Sequence, residues 1–315
     1  MTRIRRGIRS RRVRAPRALR RWSGFDRRAA LQVEEAEVVR RALAAEGVGA
    51  GLVADVGAHR GTVTALFRRR GWDVIAFEPD VSNRMLFRRR FDGDPKVQLS
   101  PTAVGEVDGA ELDFFTSPQS TGISGLVPFH ESHVQTQRVT TTRLDSHLGK
   151  NGLDGVDVLK IDTEGFDLFV LRSYDWDQHR HPQAILCEFE DAKTQNVGYR
   201  SAELADYLIA RDYQVLVSEW HPIEKYGAQH AWRRLWRFRP GDSIPSEAWG
   251  NLLAFKSRAA VRSAAVAFLA ETAPYAQSRE PRAGLVDSTL RPARRLASSW
   301  LLRRELRAQP RRAGR

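Results

Sequence analysis

Four ionisable side chains in two apolar segments have the types and spacing that acid–base chemistry requires. Lys160, Asp162 and Glu164 alternate through residues 158–165 (VLKIDTEG), and Glu188 lies in a second apolar segment. Alternation places Lys160 and Asp162 on one face of a strand, near its carboxyl end. Buried charged side chains are costly unless they are paired or functional, so the pattern indicates either a structural ion pair or a catalytic group.

A glycine-containing turn follows residues 52–56 (LVADV), an apolar segment with the pattern of a buried parallel strand. Gly57, Ala58 and Gly61 belong to this turn, and glycines there allow a ligand to approach the backbone closely. The amide groups at the start of the next helix favour an anionic group, such as the carboxylate of S-adenosylmethionine. Asp55, at the end of the strand, can accept a hydrogen bond from the amine of the same ligand.

An acidic residue and an apolar surface at the next two strand ends suit the rest of that cofactor. Glu78 and Pro79 end the second strand, where a carboxylate can hold ribose hydroxyls. Ala103 and Val104 follow the third strand, where an adenine ring can lie against apolar side chains. The carboxyl ends of parallel strands meet at one edge of a sheet, which is where ligands bind in open α/β folds. We therefore expect S-adenosylmethionine to bind at this edge.

Two other interpretations of the glycine turn stay open on these residues. A strand, a glycine turn and a helix are a common sequence of elements, and the glycines can serve packing alone. A nicotinamide dinucleotide also uses an acidic residue after the second strand, but its fingerprint requires Gly-x-Gly-x-x-Gly. His59 stands where the second of those glycines should be, and its side chain would obstruct a pyrophosphate. The residues therefore favour the methyl donor.

Apolar segments alternate with helical patterns along the middle of the chain, which predicts a doubly wound α/β sheet. Residues 1–28 are dense in arginine and are predicted to be a basic, disordered tail. Residues 29–257 are predicted to form the domain that holds the sheet, and residues 258–315 a helical, basic extension. A segment rich in Trp and Arg, residues 219–250, is predicted to be a substrate loop inserted at a hairpin-like sheet edge. Its aromatic rings could stack on a sugar or pack as a lid.

Several segments resemble, in order, those of the FkbM family of methyltransferases. The most specific is residues 160–165 (KIDTEG), which agrees with the Lys-Ile-Asp-Val-Glu-Gly of that family except at Thr163. The others are residues 55–58 (DVGA), residues 77–79 (FEP), the serine-rich loop near Ser124, residues 142–145 (TRLD) and Glu188 at the end of a strand. Departures are Phe166-Asp167, where Ala-Glu is common, and Gly125, where Ser is frequent. The resemblance covers roughly residues 50–257.

The resemblance implies a class I methyltransferase with a Rossmann-like, seven-stranded mixed sheet and flanking helices. It also implies S-adenosylmethionine-dependent methyl transfer to a hydroxyl of a sugar, glycan or secondary metabolite. Methyl transfer is an in-line displacement in which orientation supplies much of the acceleration, and a hydroxyl acceptor needs a base beside it. Our hypothesis is that Asp162 and Glu164 position and deprotonate the hydroxyl while Lys160 tunes them. Glu188 is a further candidate.

No metal site is predicted from the sequence. The eight histidines are scattered without a His-Glu-x-x-His pattern. The one cysteine, Cys187, excludes a cysteine-based zinc cluster and an internal disulfide. The carboxylates Asp162, Glu188, Glu190 and Asp191 could gather around Mg²⁺ or Ca²⁺, which stays the less favoured alternative.

The net charge of +13 comes from the two ends of the chain. Residues 1–28 hold 12 Arg and one acid, and residues 291–315 hold nine Arg and one acid. Because these ends together carry +19, residues 29–290 carry −6, which counts against a basic nucleic-acid groove in the domain. Weak contact of the tails with an anionic membrane or nucleic acid stays open.

Two alternative functions follow from the basic tails. The chain could be a non-catalytic methyltransferase-fold protein docked through its tails, or a methyltransferase directed at RNA. No apolar run approaches the length of a membrane span, and no secretory signal opens the chain, so we expect a cytoplasmic protein. The sequence leaves the oligomeric state open.

Overall fold

The computed structural model describes residues 33–226, 228 and 230–276. The strands are β1 (Leu52–Val56), β2 (Asp73–Phe77), β3 (Val97–Ser100), β4 (Ala103–Val104), β5 (Glu111–Thr116), β6 (Val134–Thr142), β7 (Val158–Ile161), β8 (Ala184–Glu190), β9 (Gln214–Trp220), β10 (Trp232–Arg237) and β11 (Trp249–Phe255). The helices are α1 (Glu35–Ala45), α2 (Thr62–Arg68), α3 (Val81–Phe91), α4 (Leu144–Lys150), α5 (Asp167–Arg172), α6 (Asp191–Thr194), α7 (Ser201–Ile209) and α8 (Arg258–Ala276). Strands and helices alternate through most of the chain, as predicted.

The main sheet has the strand order β10-β9-β11-β8-β7-β1-β2-β3. Strands β3, β2, β1, β7 and β8 are parallel neighbours, so their carboxyl ends meet at one edge. Strand β11 is antiparallel to both β8 and β9, and β10 is antiparallel to β9 at the sheet's edge. The predicted α/β fold with a mixed sheet and flanking helices is confirmed.

The expected number of seven strands is wrong, because β10 adds an eighth strand within the segment predicted to be a substrate loop. Its arginines hide the strand pattern, since they replace the apolar residues that a strand would carry. Arg233 and Arg234 are tolerated there because both form ion pairs with the fully buried carboxylate of Glu219, with nitrogen–oxygen distances of 2.7 and 2.6 Å. Trp232 and Leu235 fill the inward positions.

Helices cover both faces of the main sheet, and a hydrophobic core lies on each face. On one face α1 and α8 pack against the strands, with Val39 and Phe268 fully buried. On the other face α5 and α7 bury Leu168 and Leu204. Strands buried on both faces have continuous apolar sequences, which explains why residues 52–56 could be predicted as a strand.

A second sheet of three strands, β4-β6-β5, extends from the carboxyl end of β3. Strand β4 pairs in parallel with the end of β6, and β5 pairs antiparallel with β6. The loop between β5 and β6 contains a short 3-10 turn, Thr121–Ile123, and Phe115 exchanges two backbone hydrogen bonds with Gly125. This sheet therefore places the serine-rich loop above the carboxyl ends of the main strands.

Several predictions concern residues outside the described part of the chain. The basic tail of residues 1–28 and residues 277–315 of the C-terminal extension lie outside it, and of that extension only α8 is described. Among the described residues, no helix has both the length and the apolar character that a bilayer span requires.

The buried carboxyl of Glu35 in α1 should make the free energy of unfolding depend on pH. Its side chain is buried, and one oxygen accepts hydrogen bonds from Ser218 (2.8 Å) and Trp220 (2.6 Å). Burial raises the pKa of Glu35 from 4.5 to about 7, so the folded state binds a proton that an unfolded glutamate has already released. Stability from this proton is complete below pH 4.5 and is lost as the pH rises through 7. Glu35→Gln keeps the accepting oxygen but cannot ionise. We therefore expect its effect on the free energy of unfolding, relative to wild type, to be more stabilising at pH 8 than at pH 5 by roughly 2 kcal/mol.

Urea unfolding of both proteins at the two pH values measures this difference. Glu37 in the same helix is the matched control, because hydrogen bonds from Arg40 outweigh burial and lower its pKa to about 2. Glu37 is ionised at both pH values in either state, so Glu37→Gln should change stability equally at pH 5 and pH 8. Equal behaviour of Glu35→Gln at the two pH values would contradict the prediction.

Candidate active site

A cleft opens where the carboxyl ends of β1, β2 and β7 meet the smaller sheet. Its empty volume, counting space open to solvent, is about 590 Å³. Its walls are formed by Val56, Gly57, His59, Phe77, Glu78, Pro79, Asn83, Thr102, Ala103, Val104, Phe114, Thr121, Gly122, Ser124, Gly125, Leu126, Asp162, Thr163, Glu164 and Phe166.

The turn after β1 packs against the loop after β7 with no room for a side chain at Gly57. A Cβ atom at Gly57 would lie 1.8 Å from the carbonyl oxygen of Asp162, and the residue has a φ of 75°. The amides of Gly57 and Ala58 both donate to the carbonyl of Phe77 at 3.0 Å. The requirement for glycine therefore comes from the chain's own packing, which brings the ends of β1, β2 and β7 together.

Glu78 lies at the cleft wall with its carboxylate held in a fixed orientation. One oxygen accepts from the amide of His59 and the other from the amide of Asp80, both at 2.7 Å. Each carboxylate oxygen can accept a second hydrogen bond, so Glu78 keeps capacity for a ligand. Burial raises the pKa of Glu78 to about 7, against the two amide hydrogen bonds that lower it. His59 has a φ of 51°, an unusual conformation for a residue with a side chain, and its ring bonds Thr121 at 3.0 Å.

An apolar wall continues from Pro79 to the smaller sheet. Ala103 and Val104 are buried and line the cleft, and Phe114 lies in the same wall. Gln137 of β6 donates to the carbonyl of Pro79 at 2.9 Å, which ties the smaller sheet to the end of β2. This wall offers a flat ring an apolar surface next to the Glu78 carboxylate.

Lys160 and Asp55 form a buried pair beneath the cleft. They are register partners on β7 and β1, and the Lys160 ammonium lies 3.3 Å from the Asp55 carboxylate. The ammonium also donates to the carbonyl of Gly57 at 2.7 Å and lies 3.6 Å from Asp162. Burial alone would lower the pKa of Lys160, but Asp55 and Asp162 raise it above its ordinary value. Asp55 also accepts from the backbone and hydroxyl of Thr64 at 3.1 and 2.6 Å, so it ties β1 to α2.

Two carboxylates of the loop after β7 reach the cleft. The side chain of Asp162 is 43% exposed, whereas that of Glu164 is 10% exposed and its backbone has a left-handed φ of 57°. The loop is held by Asp167, the first residue of α5, whose carboxylate accepts from the amides of Thr163 (3.1 Å) and Gly165 (3.2 Å). Burial raises the pKa of Glu164 to about 8, partly opposed by the positive charge of Lys193.

Glu164 belongs to a buried ion cluster centred on Lys193, which we call the Lys193 cluster. The ammonium of Lys193 lies 2.7 Å from Glu164, 2.9 Å from both oxygens of Glu188 and 3.1 Å from Glu190. Burial lowers the pKa of Lys193, but the three carboxylates raise it well above its ordinary value. Burial raises the pKa of Glu188 well above its ordinary value, and Lys193 opposes this rise. Asp191 stays apart, since it accepts from the amide of Ser201 at 2.7 Å.

The structure brings most of the predicted site residues to one cleft and places the others behind its walls. Gly57, Glu78, Pro79, Ala103, Val104, Asp162 and Glu164 line the cleft. Asp55, Ala58, Gly61, Lys160 and Glu188 do not line it. Lys160 contacts Asp162, and Glu188 shares the Lys193 ammonium with Glu164, so both act on the cleft through another residue.

Three residues of the site were missed from the sequence. The sequence analysis marks Asp167 as part of a departure from the family pattern, Phe166-Asp167, and singles out neither Thr121 nor Lys193. The available signal is a lysine three residues after Glu190, in a segment with three acids (Glu188, Glu190 and Asp191), because a buried cluster of carboxylates requires a cation.

The Lys193 cluster predicts how the protein responds to metal ions. Carboxylate oxygens of Asp162, Glu164 and Glu188 lie within 4.8 Å of one another, a spacing that suits a cation. The Lys193 ammonium already contacts two of these residues and would repel a divalent ion. We expect neither Mg²⁺, Ca²⁺ nor EDTA to change the melting temperature. A rise with Mg²⁺ that disappears in Glu188→Gln would contradict this expectation.

Comparison with known proteins places the chain in a family. The model of the methyltransferase FkbM domain matches residues 55–215, about half of the chain. The chain belongs to the FkbM methyltransferase family. The match begins at Asp55 and includes every strand from β2 to β8, so it contains the whole cleft and the Lys193 cluster. No curated protein sequence matches the chain significantly.

Solved structures similar to this FkbM-family chain are methyltransferases of varied substrates. A putative O-methyltransferase from Klebsiella pneumoniae shares 12% identity, with a TM-score of 0.39, over 76% of this chain and 93% of that chain. An O-methyltransferase from Bacillus cereus in complex with SAH shares 11% identity, with a TM-score of 0.37, over 71% and 82%. Precorrin-6y C5,15-methyltransferase from Geobacter metallireducens GS-15 shares 10%, with a TM-score of 0.37, over 70% and 88%. Likenesses of this size say nothing about the reaction or acceptor, so the assignment rests on the domain match.

Proposed function

We propose that this FkbM-family methyltransferase transfers a methyl group from S-adenosylmethionine to a hydroxyl of a sugar, glycan or secondary metabolite. One observation carries the proposal. A single cleft has a wall with the fixed carboxylate of Glu78 and the apolar Ala103 and Val104, and another wall with the carboxylates of Asp162 and Glu164. The first wall suits a nucleoside, and the second suits the hydroxyl that receives the methyl group.

The residues present fit the cofactor. Glu78 has accepting capacity beyond its two amide partners, which suits ribose hydroxyls. Ala103, Val104 and Pro79 form the apolar surface for the adenine ring. S-adenosylmethionine bound there supplies a methyl group on a positively charged sulfonium. Asp55 and Lys160 support the site from beneath, because they hold Gly57 and the ends of β1 and β7 in place.

The acceptor side requires a group that takes a proton and a group that orients the hydroxyl. A carboxylate within hydrogen-bond reach would take the proton from the acceptor hydroxyl as the hydroxyl oxygen bonds to the methyl carbon and the bond from that carbon to the sulfonium sulfur breaks, leaving a neutral thioether. We assign the role of proton acceptor to Glu164, because burial raises the pKa of this carboxyl to about 8, closer to the pKa of a hydroxyl. We assign orientation to Asp162, whose more exposed carboxylate is held near Lys160.

The charge of the cleft favours a neutral or cationic acceptor. Among its lining residues the ionisable side chains are three carboxylates and one histidine, His59. Burial and the neighbouring Arg60 lower the pKa of His59, which therefore stays largely neutral at physiological pH. In their ionised form these carboxylates would repel a phosphorylated or sulfated acceptor or an RNA backbone, most strongly above pH 8, where Glu78 and Glu164 have lost their protons. The serine-rich loop adds hydroxyls and backbone groups that can bond a polyol.

A screen of acceptors with isotopically labelled S-adenosylmethionine tests the proposed function. The full chain is incubated with panels of neutral sugars, amino sugars, phosphorylated sugars, polyphenols and RNA, and the labelled product is identified by mass spectrometry. We expect label on an oxygen of a neutral or cationic hydroxyl compound. Label on RNA, or label on nitrogen or carbon only, would contradict the proposal. Binding of the cofactor with no transfer to any compound, and retention on RNA through residues 1–28, would favour a non-catalytic docking protein.

A further inference from the structure

We propose that Lys193 is a positioning residue for the methyl-transfer site. It holds the carboxyl of Glu164 at the cleft wall, and its charge decides whether that carboxyl is ionised. This inference rests on the proposed function, in which Glu164 takes the proton of the acceptor hydroxyl. Lys193 itself does not line the cleft, so it acts only through Glu164.

Backbone packing supports the positioning role. Glu164 has a left-handed backbone, a conformation that costs about 1 kcal/mol or more for a residue with a side chain. Gly165, at a φ of 99°, packs so closely on α6 that a Cβ there would lie 2.9 Å from the Cβ of Lys193. The loop is thus pressed against Lys193, and the 2.7 Å ion pair joins Glu164 to the same residue. Asp167 holds the other side of the loop through two amides.

The charges of the Lys193 cluster do not balance. One ammonium faces the carboxylates of Glu164, Glu188 and Glu190, so full ionisation would leave two negative charges in a buried space. The Lys193 side chain is 3% exposed, so water screens its charge little. Buried carboxylates repel one another and tend to keep a proton, and a cation in direct contact is what favours their ionised form. Removing the cation therefore favours the neutral form of Glu164, and removing a competing carboxylate favours the charged form.

Other charged and titratable groups face the cluster from the surrounding elements. Asp162 from the loop after β7 and Asp167 from α5 both favour the neutral form of the nearby carboxyls. Tyr226 donates to Glu190 at 2.7 Å, and His230 lies in the same loop and interacts with Glu190 and Lys193. The ring of Phe129 covers the ammonium at 5.5 Å. Among the residues that the structure describes, Lys193 is the one cation in direct contact with Glu164.

Infrared titration of the full chain tests this inference without any acceptor. The carbonyl stretch of a protonated carboxyl is separate from that of a carboxylate, and the band of Glu164 is the one lost in Glu164→Gln. In the wild-type protein this band should disappear with a midpoint near pH 8, since burial raises the pKa of Glu164 to about 8. In Lys193→Met, which has similar length and no charge, the midpoint should rise by about one to three pH units. Lys193→Arg should restore most of the wild-type midpoint.

Glu190→Gln provides a second test in case Lys193→Met misfolds. It replaces one buried carboxylate by an isosteric neutral group and leaves Lys193 in place. Its midpoint for Glu164 should fall below that of the wild type, opposite in sign to Lys193→Met. Tyr226→Phe is the matched control, since it removes a contact of Glu190 but leaves every charge of the cluster, and its midpoint should stay close to wild type. A midpoint unmoved by both Lys193→Met and Glu190→Gln, or moved in the same direction by both, would overturn the inference.

The proposed function can fail independently of this result. If the protein transfers no methyl group but the midpoints move in opposite directions, Lys193 controls Glu164 and the assigned reaction is wrong. If methyl transfer occurs but the midpoints do not move, the reaction stands and the role of Lys193 is wrong.

Discussion

Glu78→Gln is expected to weaken the binding of S-adenosylhomocysteine about 100-fold or more. Glu78 is proposed to accept two ribose hydroxyls, and each hydrogen bond to a charged group contributes about 1.5 to 3 kcal/mol. A carboxamide has one accepting oxygen, and that oxygen must also serve the amides of His59 and Asp80, which the carboxylate serves separately. Isothermal titration calorimetry of the wild type and the variant gives the two dissociation constants.

The pH dependence of this binding gives an independent check. Burial raises the pKa of Glu78 to about 7, so the carboxyl is mostly protonated at pH 6 and mostly ionised at pH 8. The charged form accepts hydroxyl hydrogen bonds more strongly, so wild-type affinity should rise from pH 6 to pH 8, and Glu78→Gln should lose that rise. Glu111→Gln, a change of the same type in β5 outside the cleft lining, is the control and should bind like the wild type. Near-normal affinity of Glu78→Gln at both pH values would contradict the cofactor assignment.

Glu164→Gln is expected to lower kcat about 100-fold to 10,000-fold, the usual contribution of a positioned general base. The carboxamide cannot take the proton of the acceptor hydroxyl. Affinity for S-adenosylhomocysteine should stay within a few-fold of wild type, because Glu164 belongs to the acceptor wall. Initial rates with the acceptor that the screen identifies, together with calorimetry, measure both quantities.

Asp162→Asn separates orientation from proton transfer. It removes the more exposed carboxylate of the same wall and should lower the rate less than Glu164→Gln does, while the pH profile keeps its shape. The wild-type rate should rise with pH as Glu164 loses its proton, because only the ionised carboxylate acts as a base. Near-normal turnover of Glu164→Gln with the cofactor bound would contradict the base assignment, whatever the rate of Asp162→Asn.

Much of the main sheet could be predicted from the sequence because its strands are buried on both faces. Residues 52–56 and 184–189 are apolar except for one acid each, Asp55 and Glu188, and such nearly continuous apolar runs distinguish them from amphipathic helices. Strand β10 could not be predicted, because its arginines are paired with Glu219, a residue of another strand. The missing information was a contact between strands, which local patterning does not contain.

The sequence predicted which strand ends carry the candidate site. It did not predict which of the side chains line the cleft and which are buried beneath it. Alternation predicts that Lys160 and Asp162 share a face, and their charged groups lie 3.6 Å apart, but it does not show that Lys160 lies beneath the cleft and Asp162 in it. Lys193 is 29 residues from Glu164 along the chain. Parallel pairing of β7 with β8 brings them together, and only the three-dimensional structure shows that a short helix after β8 returns its lysine to the loop after β7.

A crystal structure of the full chain with S-adenosylhomocysteine tests the central claim most directly. We predict that the ribose hydroxyls bond the Glu78 carboxylate, that adenine lies against Ala103 and Val104, and that the sulfur points toward Asp162 and Glu164. A nucleoside bound elsewhere, or a cleft that stays closed by the chain's own side chains at saturating ligand, would contradict it.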